Sequence, residues 1–315
     1  MNGRLARAGS RTILLATLVT GIASADAPLD VAALYRWWDF DQPAASEAKF
    51  RAELAKLSAD SGARLELMTQ IARAQGLQRH FDEANATLNQ VEASLAGRAS
   101  RVSVRYLLER GRVFNSARQP ERAVPLFHAA LDQARAAHED FLAIDAAHML
   151  GLAAPQAERL DWNLEAVAMT ERTSDVRSKR WLASLYNNIG WTYHERGQYQ
   201  QALAYFEKAL PAWEARGDAS ATRAARWSVA RALRSMGRYD EALVIQRALL
   251  ADLEASGDTD GFVFEELGEL ALAQGDAAAA RPWFAKAYAA LSADPSFAVD
   301  NPARLERLHR LGAAP

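Results

Sequence analysis

Small residues flanked by large apolar ones recur along the 315-residue chain at nearly constant spacing. They are Ala72, Gly111, Gly151, Gly190, Ala230 and Gly268, at intervals of 39, 40, 39, 40 and 38 residues. Twelve residues after each lies a second position, held by Ala84, Ala123, Asn163, Ala202, Ala242 and Ala280. Two positions that keep one period across the chain indicate a structural unit copied six times.

The copy at 186–210 predicts two helices joined by a tight turn. Tyr186, Ile189 and Tyr193 share one helical face, because they are spaced by three and four residues. After Gly197 the apolar pattern resumes at Ala202, Leu203, Phe206, Ala209 and Leu210. Closely packed helices need small residues where their backbones approach, so Gly190 and Ala202 are predicted at the contact between the two helices.

This copy resembles a tetratricopeptide repeat. The family pattern W-x2-L-G-x2-Y followed by A-x3-F is met by Tyr186, Ile189, Gly190, Tyr193, Ala202 and Phe206. The resemblance covers roughly residues 64–297 and implies an all-α, right-handed solenoid of about six helix-turn-helix repeats. Two features depart from the family: the period is 38–40 residues instead of about 34, and the proline that usually closes a repeat is missing.

Prolines and glycines predict where helices end. Pro155 should end the first helix of the third copy early. Pro125 and Pro282 share one repeat position near the start of the second helix, which therefore either begins late or is kinked there. Gly217 and Gly257 each precede an aspartate, a pattern that predicts a glycine helix end followed by an N-cap.

The chain divides into four segments: a possible signal at 1–25, an N-terminal helical cap at 26–62, the repeat array at 63–297 and a C-terminal capping helix at 298–315. Stacked repeats need terminal elements that cover their ends. Trp37, Trp38 and Phe40 are expected to pack onto the first repeat, a ligand-binding role being the alternative.

The first 25 residues have the three parts of a secretory signal. Arg4, Arg7 and Arg11 precede an apolar run at 12–23, and Ala23-Ser24-Ala25 forms a cleavage site. This pattern predicts cleavage after Ala25 and a periplasmic or secreted protein. The alternative is a mispredicted start codon, with translation from near Pro28 and a cytoplasmic protein.

Composition argues against several classes of function. With 37 basic and 39 acidic residues the net charge is −2, so nucleic acid is not expected as a partner. There is no cysteine, which excludes disulfides, thiol catalysis and cysteine-bound zinc. No Walker loop, dinucleotide fingerprint, nucleophile elbow or zincin helix is present. The histidines lack metal-ligand spacing, and Asp258 to Gly261 lacks the later acid of a calcium loop, so we expect no enzyme, no cofactor and no metal.

Function in a repeat array resides on the surface that stacking creates. The first helices of successive repeats should line a concave groove that accepts a peptide. The candidate groove residues are Arg112, Asn115, His148, Asn187, Asn188, Trp191, His194, Arg231 and Arg234. Equivalent positions hold Arg105, Asp145, Glu265 and Glu269, so the last repeat is acidic.

The pair Asn187-Asn188 is the most suggestive feature. The run around it resembles the repeats of kinesin light chains and related bacterial arrays, where asparagines at this helix position hold a bound peptide. An amide offers both a donor and an acceptor to a peptide backbone, and the arginines of the next repeat could bind a carboxylate. In the alternative, both asparagines only solvate a helix surface or bond to the neighbouring repeat.

These features predict a non-enzymatic scaffold that binds a protein or peptide ligand, such as an acidic or C-terminal segment, in the groove. One alternative is a structural, self-associating component of an envelope assembly. Another is a cytosolic regulator that senses a peptide.

Overall fold

The computed structural model describes residues 29, 31–59, 61–95 and 101–313. The predicted signal at 1–25 lies outside these residues. None of the helices in the described part of the chain is both long and apolar enough to cross a bilayer.

The described residues form sixteen α-helices, and twelve of them pair into six repeats. The N-terminal helices are α1 (Val31–Trp37) and α2 (Pro43–Leu54). Repeats 1 to 3 are α3 (Gly62–Leu77) with α4 (Phe81–Ser94), α5 (Arg101–Ser116) with α6 (Pro120–Ala136), and α7 (Asp140–Ala153) with α8 (Arg159–Arg172). Repeats 4 to 6 are α9 (Trp181–Glu195) with α10 (Tyr199–Glu214), α11 (Ala219–Ser235) with α12 (Tyr239–Ser256), and α13 (Gly261–Ala273) with α14 (Ala277–Ser292). The chain closes with α15 (Pro295–Asp300) and α16 (Pro302–Gly312). The predicted all-α solenoid of six two-helix repeats is confirmed.

In three repeats, a phenylalanine ring of the second helix packs directly against a glycine of the first helix. Phe206 of α10 lies so close to Gly190 of α9 that an added Cβ would be 2.5 Å from the ring. Phe127 on Gly111 and Phe284 on Gly268 repeat the arrangement. The glycine therefore leaves the space that the ring fills, and this contact sets how closely the helices approach.

Repeat 3 replaces the ring contact with a polar one. Asn163 of α8 donates from Nδ2 to the carbonyl oxygen of Gly151, at 3.1 Å, and to that of Arg159, at 2.8 Å. As expected from Pro155, α7 ends early, at Ala153.

The structure tests the predictions made from prolines and glycines. Pro125 and Pro282 lie inside α6 and α14, which excludes the first of the two alternatives, a late helix start. Gly217 and Gly257 adopt the left-handed conformation at helix ends, as predicted. The N-cap of α13 is Asp260 and not Asp258, because the Asp260 carboxylate accepts hydrogen bonds from the first backbone amides of the helix.

The two ends of the array meet. The carboxylate of Asp300 in α15 pairs with Arg118, at 2.5 Å, and with Arg79, at 3.6 Å. Arg79 lies in the turn between the two helices of repeat 1, and Arg118 lies in the corresponding turn of repeat 2. The solenoid therefore curves far enough for its C-terminal cap to touch its first repeats.

Gln246 of α12 occupies the place that a phenyl ring takes in other repeats. It is fully buried, and neither its amide oxygen nor its amide nitrogen has a hydrogen-bond partner within the described part of the chain. Burying two unsatisfied polar groups destabilises the fold.

We predict that Gly190→Ala lowers the free energy of unfolding by about 1–3 kcal/mol, because the new methyl group collides with Phe206. Gly76→Ala in α3 is the matched control, since its Cβ would lie 3.5 Å from Val113, an ordinary contact. The control should raise stability by about 0.5–1 kcal/mol through helix propensity. Urea denaturation measures the free energy of unfolding of both variants. Equal effects of the two substitutions would contradict the close contact between the Phe206 ring and Gly190.

We predict that Gln246→Leu raises the free energy of unfolding by about 1–3 kcal/mol, because it removes two unsatisfied groups at similar volume. Gln75 is equally buried, but its Oε1 accepts from the Thr87 hydroxyl at 2.9 Å. Gln75→Leu should therefore lower stability. Thermal unfolding distinguishes the pair, and a loss of stability in both variants would contradict the assignment of Gln246 as unsatisfied.

Candidate functional site

The first helices of the repeats line the concave surface, which has two parts. We call the surface of α3, α5 and α7 the N-terminal half-groove. The surface of α9, α11 and α13, closed by α16, is the C-terminal half-groove. The two halves differ in what covers their polar side chains.

Ion pairs between neighbouring repeats fill the N-terminal half-groove. Glu66 pairs with Arg105 and Arg101, one repeat further along the chain. Arg112 pairs with Glu109, at 2.7 Å, and with Asp145 of the next repeat. Burial alone would raise the pKa of Asp145, but Arg112 and Arg73 together outweigh it and lower the pKa. These charges therefore neutralise one another within the chain.

Three of the predicted site residues lie in this half. Arg112 is held by its two carboxylates, and its side chain is only 12% exposed. The ring of His148 packs against Trp181, with centroids 5.0 Å apart, and burial lowers the His148 pKa to about 4. His148 is therefore neutral at pH 7. Asn115 lies half-buried near the end of α5.

Aromatic residues of α1 and of the segment that follows it lie over the N-terminal half-groove. Trp38 donates from Nε1 to Gln70 Oε1 at 3.1 Å, and the Arg73 guanidinium lies 5.5 Å from the Trp38 ring. Trp37 and Trp38 pack against the core of the first repeat, as expected, whereas Phe40 is 53% exposed. Tyr35 reaches further, to Phe141 of repeat 3, at a centroid distance of 5.9 Å.

The C-terminal half-groove contains an open cavity of about 410 Å³. It is lined by Trp191, Trp227, Arg231, Arg234, Glu265, Glu266, Glu269, Arg304 and Arg307. The structure thus brings together three predicted residues, Trp191, Arg231 and Arg234. The rings of Trp191 and Trp227 are 5.8 Å apart and form an aromatic wall.

Glu265 and Glu266 lie at the base of this cavity, and the more exposed Arg231, Arg304 and Arg307 lie at its rim. Glu266 is 2% exposed and accepts from Arg234 Nε at 2.5 Å, and Arg231 Nη1 is 3.6 Å away. Arg304 pairs with Glu265 at 2.7 Å, and Arg307 pairs with Glu269. Arg304 and Arg307 are over one-third exposed.

The cavity has an excess of positive charge. Four arginines face three glutamates. Burial raises the pKa of Glu266 to about 7, an effect that Arg234 only partly offsets. Part of the Glu266 population is therefore protonated at neutral pH, and the excess favours an anionic ligand.

The remaining predicted residues of α9, Asn187, Asn188 and His194, do not line this cavity, although the His194 ring lies 5.2 Å from the ring of Trp191. Asn187 is half-buried, and Asn188 has a buried Nδ2 without a hydrogen-bond partner among the described residues. His194 Nε2 is 2.9 Å from Ser235 Oγ of the next repeat. Burial and nearby Arg234 lower the His194 pKa.

Trp227, Glu266, Arg304 and Arg307 were not among the predicted site residues. Arg304 and Arg307 follow their partners Glu265 and Glu269 by 39 and 38 residues. The repeat period therefore continues into the capping helix, and extending it past residue 297 would have identified both arginines.

Within the described residues, no group of three or more histidine, aspartate or glutamate side chains is placed to hold a metal ion. What these residues offer a ligand is hydrogen bonds, charge and aromatic surface.

Residues 160–215 and 181–255 match the family described as tetratricopeptide repeat. No curated protein matches the sequence. Among solved structures, apo RapI has 14% identity and a TM-score of 0.60, over 79% of this chain and 96% of RapI. NprR in complex with its cognate peptide NprX has 15% identity and a TM-score of 0.58, over 88% of this chain and 81% of NprR. A putative kinesin light chain with nearly identical TPR-like repeats from Podosopora anserina has 20% identity and a TM-score of 0.50, over 62% of this chain and 96% of that one.

We predict that ionisation of Glu266 costs stability. Its pKa of about 7 in the folded protein exceeds the ordinary 4.5, so the folded state binds more protons than the unfolded state between these values. Stability should therefore fall as pH rises through this window, and Glu266→Gln should remove the fall. Urea unfolding from about pH 5 to about pH 8 gives the difference between the two proteins.

Comparing the wild type with Glu266→Gln separates the effect of Glu266 on the pH dependence of stability from that of His148. The lowered pKa of His148 makes stability fall as pH drops from 6.5 to about 4, in both proteins alike. The advantage of Glu266→Gln should grow with pH. An advantage that is independent of pH would show that Glu266 has no raised pKa.

Proposed function

We propose that this chain, in which residues 160–215 and 181–255 match the tetratricopeptide-repeat family, is a non-enzymatic scaffold that binds an anionic peptide segment in the C-terminal half-groove. One observation carries the proposal: Arg231, Arg304 and Arg307 are partly exposed and converge with two tryptophans on an open cavity, and two of its glutamates, Glu265 and Glu266, are buried. The match to this family supports a role in binding rather than catalysis.

The rim arginines are the groups that a ligand carboxylate would meet first. Arg304 is 36% exposed and Arg231 is 32% exposed, while Glu266 beneath is nearly inaccessible. A guanidinium can donate two parallel hydrogen bonds to a carboxylate. An acidic side chain or a C-terminal carboxylate can therefore bind at the rim without displacing the buried pairs.

The aromatic wall and the amides extend this site along the groove. Trp191 and Trp227 offer apolar surface beside the arginines, which suits the aliphatic part of a peptide side chain. We assign to Asn187, Asn188 and His194 the hydrogen bonds to the peptide backbone. Arg112, Asn115 and His148 belong to the covered half-groove and are not contacts of this peptide.

A peptide-sensing regulator is the second candidate. It is favoured by the similarity to NprR, whose structure contains its cognate peptide. The mature N-terminus separates the candidates: a chain beginning at Asp26 favours an exported, periplasmic or secreted scaffold, and one that begins at Met1 or near Pro28 favours a cytoplasmic regulator. A self-associating envelope component would instead form oligomers in light scattering at micromolar concentration.

We predict that the full chain binds immobilised Asp- and Glu-rich peptides about tenfold or more tightly than the same peptides with Asn and Gln in their place. The double variant Arg231→Ala/Arg304→Ala should lose this preference. Biolayer interferometry at low and high salt measures the affinities, and salt should weaken the binding of the wild-type protein.

The control keeps the net charge of that variant. Arg135 and Arg238 are 46% and 40% exposed, and neither lines the C-terminal cavity. Arg135→Ala/Arg238→Ala should retain the preference for acidic peptides. The proposal is wrong if both double variants lose affinity equally, because binding would then depend on net charge alone.

A further inference from the structure

A second open cavity lies at the edge of the array, between the turns that join the two helices of repeats 1 and 2. It has a volume of about 450 Å³, and its charged lining residues are Arg79, Arg118, Arg122 and Asp82. We propose that the three arginines form a binding site for a phosphate dianion, which takes the place of the Asp300 carboxylate. We call this the turn-edge site.

The backbone at two of these arginines has the left-handed conformation that favours glycine. Arg79 has a φ of 65° and Arg118 has a φ of 60°. The equivalent turns of repeats 4, 5 and 6 place Gly197, Gly237 and Gly275 at this position, all with positive φ. A side chain is unfavourable there relative to glycine. Repeats 1 and 2 therefore hold arginine at a local cost in stability, which points to a use for the two guanidinium groups.

The contact with Asp300 shows that these two guanidinium groups converge on one anionic group. Arg118 Nη2 is 2.5 Å from one carboxylate oxygen of Asp300, and Arg79 Nη1 is 3.6 Å from the other. The side chains of Arg118 and Arg79 are 69% and 45% exposed. Ion pairs with this much exposure contribute little to stability, so a more highly charged anion can displace the carboxylate.

Aromatic rings position two of the guanidinium groups. Arg122 lies over the Phe114 ring at 3.8 Å from its centroid, and Arg79 lies over the Phe81 ring at 5.7 Å. The N–H groups of a guanidinium lie in its plane, so contact through its face leaves them available to an anion. Arg122 donates to Gln119 Oε1 at 2.8 Å, and no carboxylate in the described part of the chain pairs with it.

The charge and the donors of the turn-edge site suit a phosphate dianion better than a carboxylate. Each guanidinium has several N–H donors, of which Asp300 accepts one, from Arg118. A phosphate monoester has more acceptor oxygens than a carboxylate and a charge of about −2 at neutral pH. With Asp300 displaced, three arginines face a single lining carboxylate, that of Asp82. The resulting excess of positive charge matches the dianion.

The test titrates the full chain with inorganic phosphate at constant ionic strength, by isothermal titration calorimetry. The wild type should bind phosphate saturably. Asp300→Asn removes the competing charge and should raise the affinity for phosphate about threefold or more. Arg118→Gly should lower this affinity about tenfold or more. Its Tm should equal or exceed that of the wild type, because glycine relieves the left-handed strain.

Two controls separate the turn-edge site from other arginines. Arg51 is 53% exposed and pairs with a carboxylate outside this cavity, so Arg51→Ala should bind phosphate as the wild type does. The double variant Arg231→Ala/Arg304→Ala, altered in the C-terminal half-groove, should also keep its affinity for phosphate. Equal affinities of Arg118→Gly and the wild type, or no saturable binding by either the wild type or Asp300→Asn, would overturn the proposal.

Hydrogen exchange tests the displacement of Asp300. Phosphate should accelerate amide exchange in α15 (Pro295–Asp300) of the wild type, because the carboxylate that ties this helix to repeats 1 and 2 is released. In Asp300→Asn, phosphate should have no such effect. Unchanged exchange in α15 of the wild type at saturating phosphate would contradict the displacement.

A phosphoserine peptide of otherwise uncharged sequence identifies the source of the phosphate group. Tighter binding of this peptide than of inorganic phosphate would identify a phosphorylated protein as the ligand, and tighter binding of inorganic phosphate would identify the free ion. In both cases Arg118→Gly should abolish the binding. None of these results alters the assignment of the C-terminal half-groove.

Discussion

The close approach of the two helices in each repeat is the constraint on which the rest of the structure depends. Where Phe206 rests on Gly190, the first helix provides the space and the second helix provides the ring. This contact buries one face of the first helix against its partner. The opposite face then remains for the concave surface, so the packing rule that builds the solenoid also determines where its polar residues meet.

The concave surface is polar but largely neutralised within the chain. The Arg234–Glu266 and Arg304–Glu265 pairs each join neighbouring elements of the array. Buried ion pairs contribute little net stability, because desolvation offsets their attraction. These pairs therefore affect ligand specificity more than stability. The carboxylates hold the guanidinium groups in place, and the guanidinium groups at the rim determine which ligands can bind.

The two half-grooves have similar charged residues but differ in whether another part of the chain lies over them. Arg112 and Asp145 lie near the segment that carries Tyr35, whereas Arg304 and Arg307 line an open cavity. Both halves derive from equivalent positions in the repeats. The difference comes from the terminal elements, since α1 lies across one half and α16 closes the other with arginines.

The helical pairs could be predicted from the sequence because the residues at their contact, such as Gly190 and Ala202, lie only twelve residues apart and recur in every repeat. It could not predict that Tyr35 contacts Phe141, because no period links a cap to the third repeat. The pairing of Arg234 with Glu266 was also missed, since two groove residues of opposite charge can face each other or face a ligand equally well. The burial of Gln246 was not predicted, because its polar side chain stands where the repeat period, 40 residues after Phe206, leads one to expect a ring.

The most direct measurement is hydrogen exchange of the full chain, alone and saturated with an acidic peptide selected from a random library. Slowed exchange in the helices that line the C-terminal half-groove, α9, α11, α13 and α16, is the result that the structure predicts. Slowed exchange confined to the second helices of the repeats, such as α10 and α12, would place the ligand on the convex surface and contradict the assignment of the groove.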